Sequence, residues 1–326
     1  METTDLTVIT LTRGAPQTLS MCLSHLELQT YPSAKFEVMV VALPSATGTE
    51  HMLERFCESG PVRMRCIHAP HEHAAAARNL AAMQAQGRWL LFLDEDLLAG
   101  GHLVESHIEA QRRFGSACAI VGRISYHPQL EAGANPVTSL LTGQEFKPNQ
   151  PLRFLDWRAR NLSVPRESVL EKGGFTEELP FEGLEDMHLA FRLEFEAGLR
   201  GYFCEQAQAF VWKPDSLDRE ERRYYAEGYW LHRLLESTKS EPLRERYRPV
   251  VAAWRSILDT VSQPAAHALC PLLAFDSRAY RRLQRRMLRR AFRRGYRDAR
   301  RGREAMLPSK SPRHKAHDLE NAVTND

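Results

Sequence analysis

Residues 88–96, Arg-Trp-Leu-Leu-Phe-Leu-Asp-Glu-Asp, constrain this chain more than any other stretch. Trp89 to Leu93 are five consecutive apolar residues bounded by Arg88 and three acids, which predicts a strand buried on both faces. Such a strand delivers Asp94, Glu95 and Asp96 to a sheet edge. In open α/β sheets, ligands bind at the carboxyl ends of the strands. Adjacent carboxylates repel one another, so they need a cation between them. Mg2+ and Mn2+, hard ions that take oxygen ligands and often carry phosphates, meet that need. The same nine residues also suit a strand that ends in a solvated acidic turn. Read alone, the stretch does not choose.

The flanking pattern predicts strands at Leu6–Thr12, Phe36–Leu43 and Val62–Ile67. Helices are expected after Pro16, around Met52–Phe56 and over the Ala-rich Ala74–Gln86, which Gly87 stops. This alternation argues for an α/β fold with a doubly wound, mostly parallel sheet flanked by helices. After Asp96 the rhythm changes: a helix over His102–Arg113, a strand over Ala117–Tyr126, and a Pro-, Gly- and Asn-rich loop over His127–Pro151. A helix over Glu185–Ala197 and a last strand over Ala207–Lys213 follow, and from Ser216 every segment reads helical.

Length and composition exclude some classes. With 326 residues, 43% hydrophobic and 26% charged, the chain suits a globular protein with a sizeable core. No apolar run approaches bilayer length, and Glu2 and Asp5 do not suit a signal peptide. The six cysteines are scattered without a C-x-x-C pair, as expected of reduced thiols in the cytosol. The net charge of +3 conceals an asymmetry. Residues 278–303 hold 13 Arg and one Asp, a local +12, so the remainder carries −9.

Five motifs stand in order along this pattern: Thr12-Arg13 after the first strand, Ala77-Arg78-Asn79 heading a helix, Asp94-Glu95-Asp96, Gly173-Gly174-Phe175, and Glu185-Asp186 opening a helix. With them the chain resembles a family 2 glycosyltransferase of the GT-A nucleotide-sugar fold, from about Thr7 to about Lys213. The resemblance implies a nucleotide-sugar donor and a divalent metal, Mn2+ or Mg2+, held by Asp96 with Asp94 at the ribose or the metal's water shell. Glu95, facing the other way, is expected to be structural. Thr12, Arg13 and Arg78 would lie on the donor side. Glu185 and Asp186 match the second acidic motif, whose Asp is the general base of inverting members. A helix N-terminus is expected to keep Asp186 charged and weakly basic. The bland reading is an acidic pair that improves a helix start. Trp157 and Asn161 fall where the acceptor side begins, although an aromatic there also suits a core. His71-Glu72-His73 reads as a solvated loop, not a metal site.

Two departures bear on the donor. The resemblance implies an acid at the end of the second strand for the nucleobase, whereas Ala42-Leu43-Pro44-Ser45 stands there. Lys213 replaces a His after the last strand; it can meet a diphosphate as a point charge but is no ordinary metal ligand. His188 stands where an Asp is common.

The expected organisation is a glycosyltransferase domain over 1–215, with its nucleotide-sugar half over 1–98 and its acceptor half over 99–215. A helical extension follows over 216–307, then a disordered tail over 308–326. In Tyr280–Ala299, apolar or small residues recur at helical spacing with arginines on the other face. Such a helix suits an anionic membrane surface, hence a peripheral place on the inner face for a cytoplasmic enzyme, or it packs its stripe on the protein itself. Nucleic acid is disfavoured because no nucleic-acid fold signature appears. The expected activity is metal-dependent, inverting transfer of a sugar to a hydroxyl acceptor. Its rival is a non-catalytic nucleotide- or glycan-binding protein on the same fold. A nucleotidyltransferase is disfavoured by the lack of a Gly-rich, Lys-bearing loop.

Overall fold

The computed structural model describes residues 3–115, 117–127, 146–148, 150–177, 179, 184–212, 217–237 and 277–305, with side chains from 283 onward in the last segment. The chain divides into two compact units, one comprising Met1–Leu217 with Ala266–Arg285 and the other Asp218–Ala265 with Arg286–Asp326.

The first unit opens with β1 (Leu6–Thr12), α1 (Pro16–Glu27), β2 (Phe36–Ala42), α2 (Glu50–Ser59), β3 (Arg63–His68), α3 (Ala74–Gln84) and β4 (Trp89–Leu93). These are the expected elements, within a residue or two at most ends. There follow β5 (Leu97–Ala99), α4 (Leu103–Phe114), β6 (Cys118–Tyr126), β7 (Pro151–Leu152), β8 (Asn161–Pro165), α5 (Arg166–Glu171), α6 (Glu185–Phe195) and β9 (Arg200–Val211). Among the described residues one sheet runs β3-β2-β1-β4-β8-β6-β9-β5, with β7 also on β9. Its first four strands are parallel, and β8 enters antiparallel to both β4 and β6.

Every residue of β2 and of β4 is buried, because helices cover both faces of the sheet. One face packs Leu6, Val8, Val38, Val40, Leu91 and Leu93 on Leu19, Leu23 and Leu26 of α1 and Ile108 of α4. Each such leucine or valine contributes about 1.5–3 kcal/mol by burial. On the other face Phe92 meets Phe175 edge-on, with centroids 5.0 Å apart and planes at 89°.

Two strands differ from expectation. Leu97–Ala99, directly after the acids, is a short strand paired with β9, in a stretch for which no element was predicted. β9 begins at Arg200 instead of Ala207, because Cys118–Gly122 pair with Arg200–Cys204 before the register shifts. Most of the expected 127–151 loop lies outside the described residues, as do Lys213 and the 308–326 tail.

In the second unit, the described part of α7 (Leu217–Ser237) meets α8 (Ser277–Arg300) from residue 286 on. The helices approach closely at two glycines: a Cβ on Gly228 would lie 1.9 Å from the Phe292 carbonyl oxygen, and one on Gly295 1.9 Å from that of Tyr225. Met287, Leu288, Ala291 and Phe292 are buried as a result. This part of the apolar stripe, expected either to meet a membrane or to pack on the protein itself, is therefore occupied within the protein, while Arg286, Arg294, Arg297 and Arg300 are exposed. Among the described residues no helix is long and apolar enough to cross a membrane.

Candidate active site

The acids leave β4 in a tight turn. The Leu97 N–H donates to the Asp94 carbonyl at 3.1 Å, and the Trp212 N–H to the Asp96 carbonyl at 3.0 Å. β5 and the end of β9 thereby pin the turn, so that Asp94 and Asp96 face one way and Glu95 the other. Glu95 accepts the Arg13 N–H at 3.4 Å and bonds the Thr12 hydroxyl. Burial, followed by the neighbouring aspartates, raises its carboxyl above the ordinary range. It braces the β1 turn, as its expected structural role requires.

Asp94 and Asp96 share one guanidinium. Arg160 Nε lies 2.9 Å from Asp94 Oδ2, and its Nη2 lies 2.8 Å from Asp96 Oδ2. A second arginine, Arg78 on α3, reaches three acids: Glu185 at 2.9 Å, Asp186 at 3.3 Å and Asp94 at 3.9 Å. Its guanidinium also lies 5.4 Å from the Phe175 ring centroid. A chain of alternating charge thus runs from Asp186 through Arg78 and Asp94 to Arg160 and Asp96. It joins the two acidic motifs, which stand about ninety residues apart in sequence.

The Gly-Gly-Phe turn sets α6 against α3. Asn79 donates to the Phe175 carbonyl at 2.8 Å and accepts the Phe175 N–H at 2.6 Å. Arg192 holds the Lys172 and Gly174 carbonyls from the other side. Gly174 has φ +69°, and a Cβ there would lie 2.2 Å from Asn79 Oδ1. Gly174→Ala is therefore expected to destabilise the unit by about 1–3 kcal/mol, read as a lower denaturant midpoint with an unchanged slope.

Asp186 stands in the first turn of α6 and accepts the Ala159 N–H at 3.1 Å. Here the expectation of a strongly anionic group is corrected. Burial pushes its carboxyl up to about 6, Arg78 opposes the shift, and Glu185 and Asp94 add to it. Desolvation outweighs the helix terminus, which leaves Asp186 a better base than the sequence suggested.

Other expected site residues are placed differently. Thr12 is wholly buried, and its hydroxyl accepts the Gly14 N–H at 3.3 Å. Arg13 pairs with Glu72 at 3.4 Å. Glu72 in turn accepts the Ser45 N–H at 3.0 Å and its hydroxyl at 2.8 Å. Burial works against the Glu72 charge, but these bonds and Arg13 hold it below the ordinary range. A carboxylate therefore stands beside the strand end that lacks one of its own, supplied by the expected solvated loop. His188 bonds the Thr176 hydroxyl at 2.5 Å, and burial lowers its imidazole to about 4.

The two expected acceptor contacts are corrected. Trp157 has no exposed surface and lies against Gly201, where a Cβ would meet its Nε1 at 2.0 Å. Asn161 is 1% exposed. It donates to the Arg123 and Ala207 carbonyls at 3.1 and 2.9 Å and meets His107 Nε2 at 2.8 Å. Asn161 ties β8 to β6 and β9, and Trp157 fills space against β9, so both side chains are packed inside the protein. Arg160, one residue before Asn161, is the site residue that sequence reasoning missed. Its signal was the need of the acids for a cation and the basic Arg158-Ala159-Arg160 run ahead of a strand.

Residues 7–159, from β1 to the residue before Arg160, match the family described as glycosyl transferase family 2. The match takes in just under half of the chain. The chain is 34% identical to glycosyltransferase AglE of Haloferax volcanii over 24% of this chain and 26% of that protein. It is 29% identical to the uncharacterized glycosyltransferase YfnE of Bacillus subtilis over 51% of this chain and 54% of that one. The matches thus span about a quarter and about half of these two curated relatives. The fold is that of GT-A glycosyltransferases. A mannosyltransferase of Pyrobaculum calidifontis in complex with GDP-mannose and Mn2+ superposes with a TM-score of 0.58 at 19% identity, over 90% of this chain and 88% of that one. Residues 1–349 of TarS from S. aureus with UDP-GlcNAc give 0.54 at 14% identity, over 92% of each chain.

Proposed function

We propose that this chain transfers a sugar from a nucleoside-diphosphate donor to an acceptor hydroxyl, with inversion at the anomeric carbon. The observation that carries the reading is the convergence of Asp94 and Asp96 with Asp186 through Arg78 and Arg160. The family match and the donors bound by the structural neighbours support the donor class.

In ligand type Asp94 and Asp96 fit a divalent ion. They are hard oxygen donors two residues apart, and their Oδ2 atoms already meet one cation at 2.9 and 2.8 Å. Among the described residues no group of three or more His, Cys, Asp or Glu is arranged for a metal, so donor phosphates would complete the coordination. Asp94 and Asp96 would hold Mn2+ or Mg2+, which when bound supplies Lewis-acid stabilisation of the charge growing on the leaving diphosphate.

The base is Asp186. As the acceptor oxygen bonds the anomeric carbon, the bond to the diphosphate oxygen breaks with its electron pair, and the hydroxyl proton passes to Asp186. Attack opposite the leaving group inverts the centre. The Ala159 N–H and Arg78 hold the carboxylate in place, and Glu185 shares the Arg78 guanidinium. The exposed arginines of α8 keep an anionic surface, such as a membrane carrying a lipid-linked acceptor, within this reading.

Free nucleotide released on incubation with Mn2+ or Mg2+ and a panel of nucleotide sugars tests the proposal. Release from one donor is expected, with Asp96→Ala lowering it at least ~100-fold. No release from any donor, with no nucleotide-dependent rise in melting temperature, would favour a non-catalytic role.

A further inference from the structure

The two cations of the acid cluster differ in the exposure of the acids they hold. The Arg78 side chain is 11% exposed and is paired with Glu185 at 7% and Asp186 at 11%. Arg160, itself 14% exposed, meets the side of the cluster more open to solvent, where the Asp94 and Asp96 side chains are 33% and 26% exposed. The Arg160 backbone is fixed independently of that contact. Its carbonyl accepts the Asp94 N–H at 3.2 Å, extending the β4–β8 ladder in which Leu93 stands opposite Asn161. The guanidinium can therefore leave the carboxylates without moving the strand.

A guanidinium and a divalent ion compete for the same carboxylate oxygens, because the ion needs contacts near 2.0–2.1 Å on free lone pairs and two cations held that close repel each other. Arg160 holds one Oδ2 of each aspartate. We propose that Arg160 is a resident counter-ion of the Asp94–Asp96 pair, which a metal must displace, and that the donor diphosphate draws it away. The arriving diphosphate offers Arg160 an alternative anionic partner with matching fork geometry. Metal and diphosphate therefore bind cooperatively, and each raises the affinity of the other by the same factor. The free protein keeps its acids neutralised and takes up metal weakly. The inference rests on the proposed metal-held donor site and adds to it an order of assembly set by this chain's own arginine.

Mn2+ binding to the full chain, followed by titration calorimetry or by the loss of the free-ion electron spin resonance signal, tests this without turnover. Wild type, Arg160→Gln, Arg160→Lys and Asp96→Asn are compared alone and with UDP or GDP. Wild type is expected to bind Mn2+ at least tenfold more tightly when the diphosphate is present. Arg160→Gln is expected to bind Mn2+ alone at least tenfold more tightly than wild type and to lose most of the diphosphate effect. Lys carries the charge but cannot span both carboxylates, so Arg160→Lys should fall between the two. It carries the test if the Gln variant does not fold. Equal Mn2+ affinity of wild type and the Arg160 variants would overturn the inference alone. Absence of Mn2+ binding to all of them with diphosphate present would overturn the metal site as well.

Discussion

Asp186→Asn is expected to lower kcat about 10²–10⁴-fold while leaving donor binding close to that of wild type. The amide keeps the shape and one acceptor for the Ala159 N–H or Arg78, but it cannot take the acceptor's proton. The pH dependence follows from the Asp186 carboxyl, which burial raises to about 6. A base must be ionised, so kcat/KM of wild type should fall as pH drops through about 6, and this limb should vanish in Asp186→Asn. Stability runs the opposite way. The folded state binds the proton more tightly than the unfolded chain, so the contribution of protonated Asp186 is fully present below about pH 4 and lost as pH rises through about 6. Donor hydrolysis and acceptor transfer, both measured across pH 5–8, check the kinetic part. A limb that persists unchanged in the Asn variant would assign the base elsewhere.

Arg78→Met is the second large effect, and it acts first on stability. Arg78 lies between Glu185, Asp186 and Asp94, with little solvent to screen the two α6 acids. Removing one partner of a buried ion pair leaves uncompensated charge and costs about 3–5 kcal/mol. For a unit of this size that corresponds to a melting temperature lower by about 6–20 °C. Glu185→Gln in the same chain should recover part of the loss, because it removes one of the stranded charges. Thermal and urea unfolding of the single and double variants measure both. An additive pair, with no recovery, would mean that Glu185 does not depend on Arg78.

Much of the fold was legible from residue order. The Leu6–Thr12, Phe36–Ala42 and Trp89–Leu93 strands are short apolar runs bounded by turn residues, and a run that must be buried on both faces has few other solutions. β5 was not legible: Leu97–Ala99 has no period of its own, and only its pairing with β9 makes it a strand. The early start of β9 at Arg200 is likewise a decision of its partner β6.

The site divides in the same way. Local chemistry marked Asp94, Asp96, Glu185 and Asp186, because acids at a strand end and at a helix start are conspicuous in one dimension. Trp157 and Asn161 show the opposite case: their types suit recognition, yet Gly201 and Gly122 leave room for both to be buried inside the protein.

Residue order by itself determined the alternating architecture, the two acidic motifs and their need for positive charge, since each depends on neighbours a few positions away. The tertiary structure decided which cations answer that need, that Arg78 ties one motif to the other, and that Arg160 rather than an open space faces Asp94 and Asp96. It also decided that burial lifts the Asp186 carboxyl to about 6. The reason is physical: ion pairing and desolvation depend on distance and on excluded water, and these are set by strands and helices that meet only after the chain has folded.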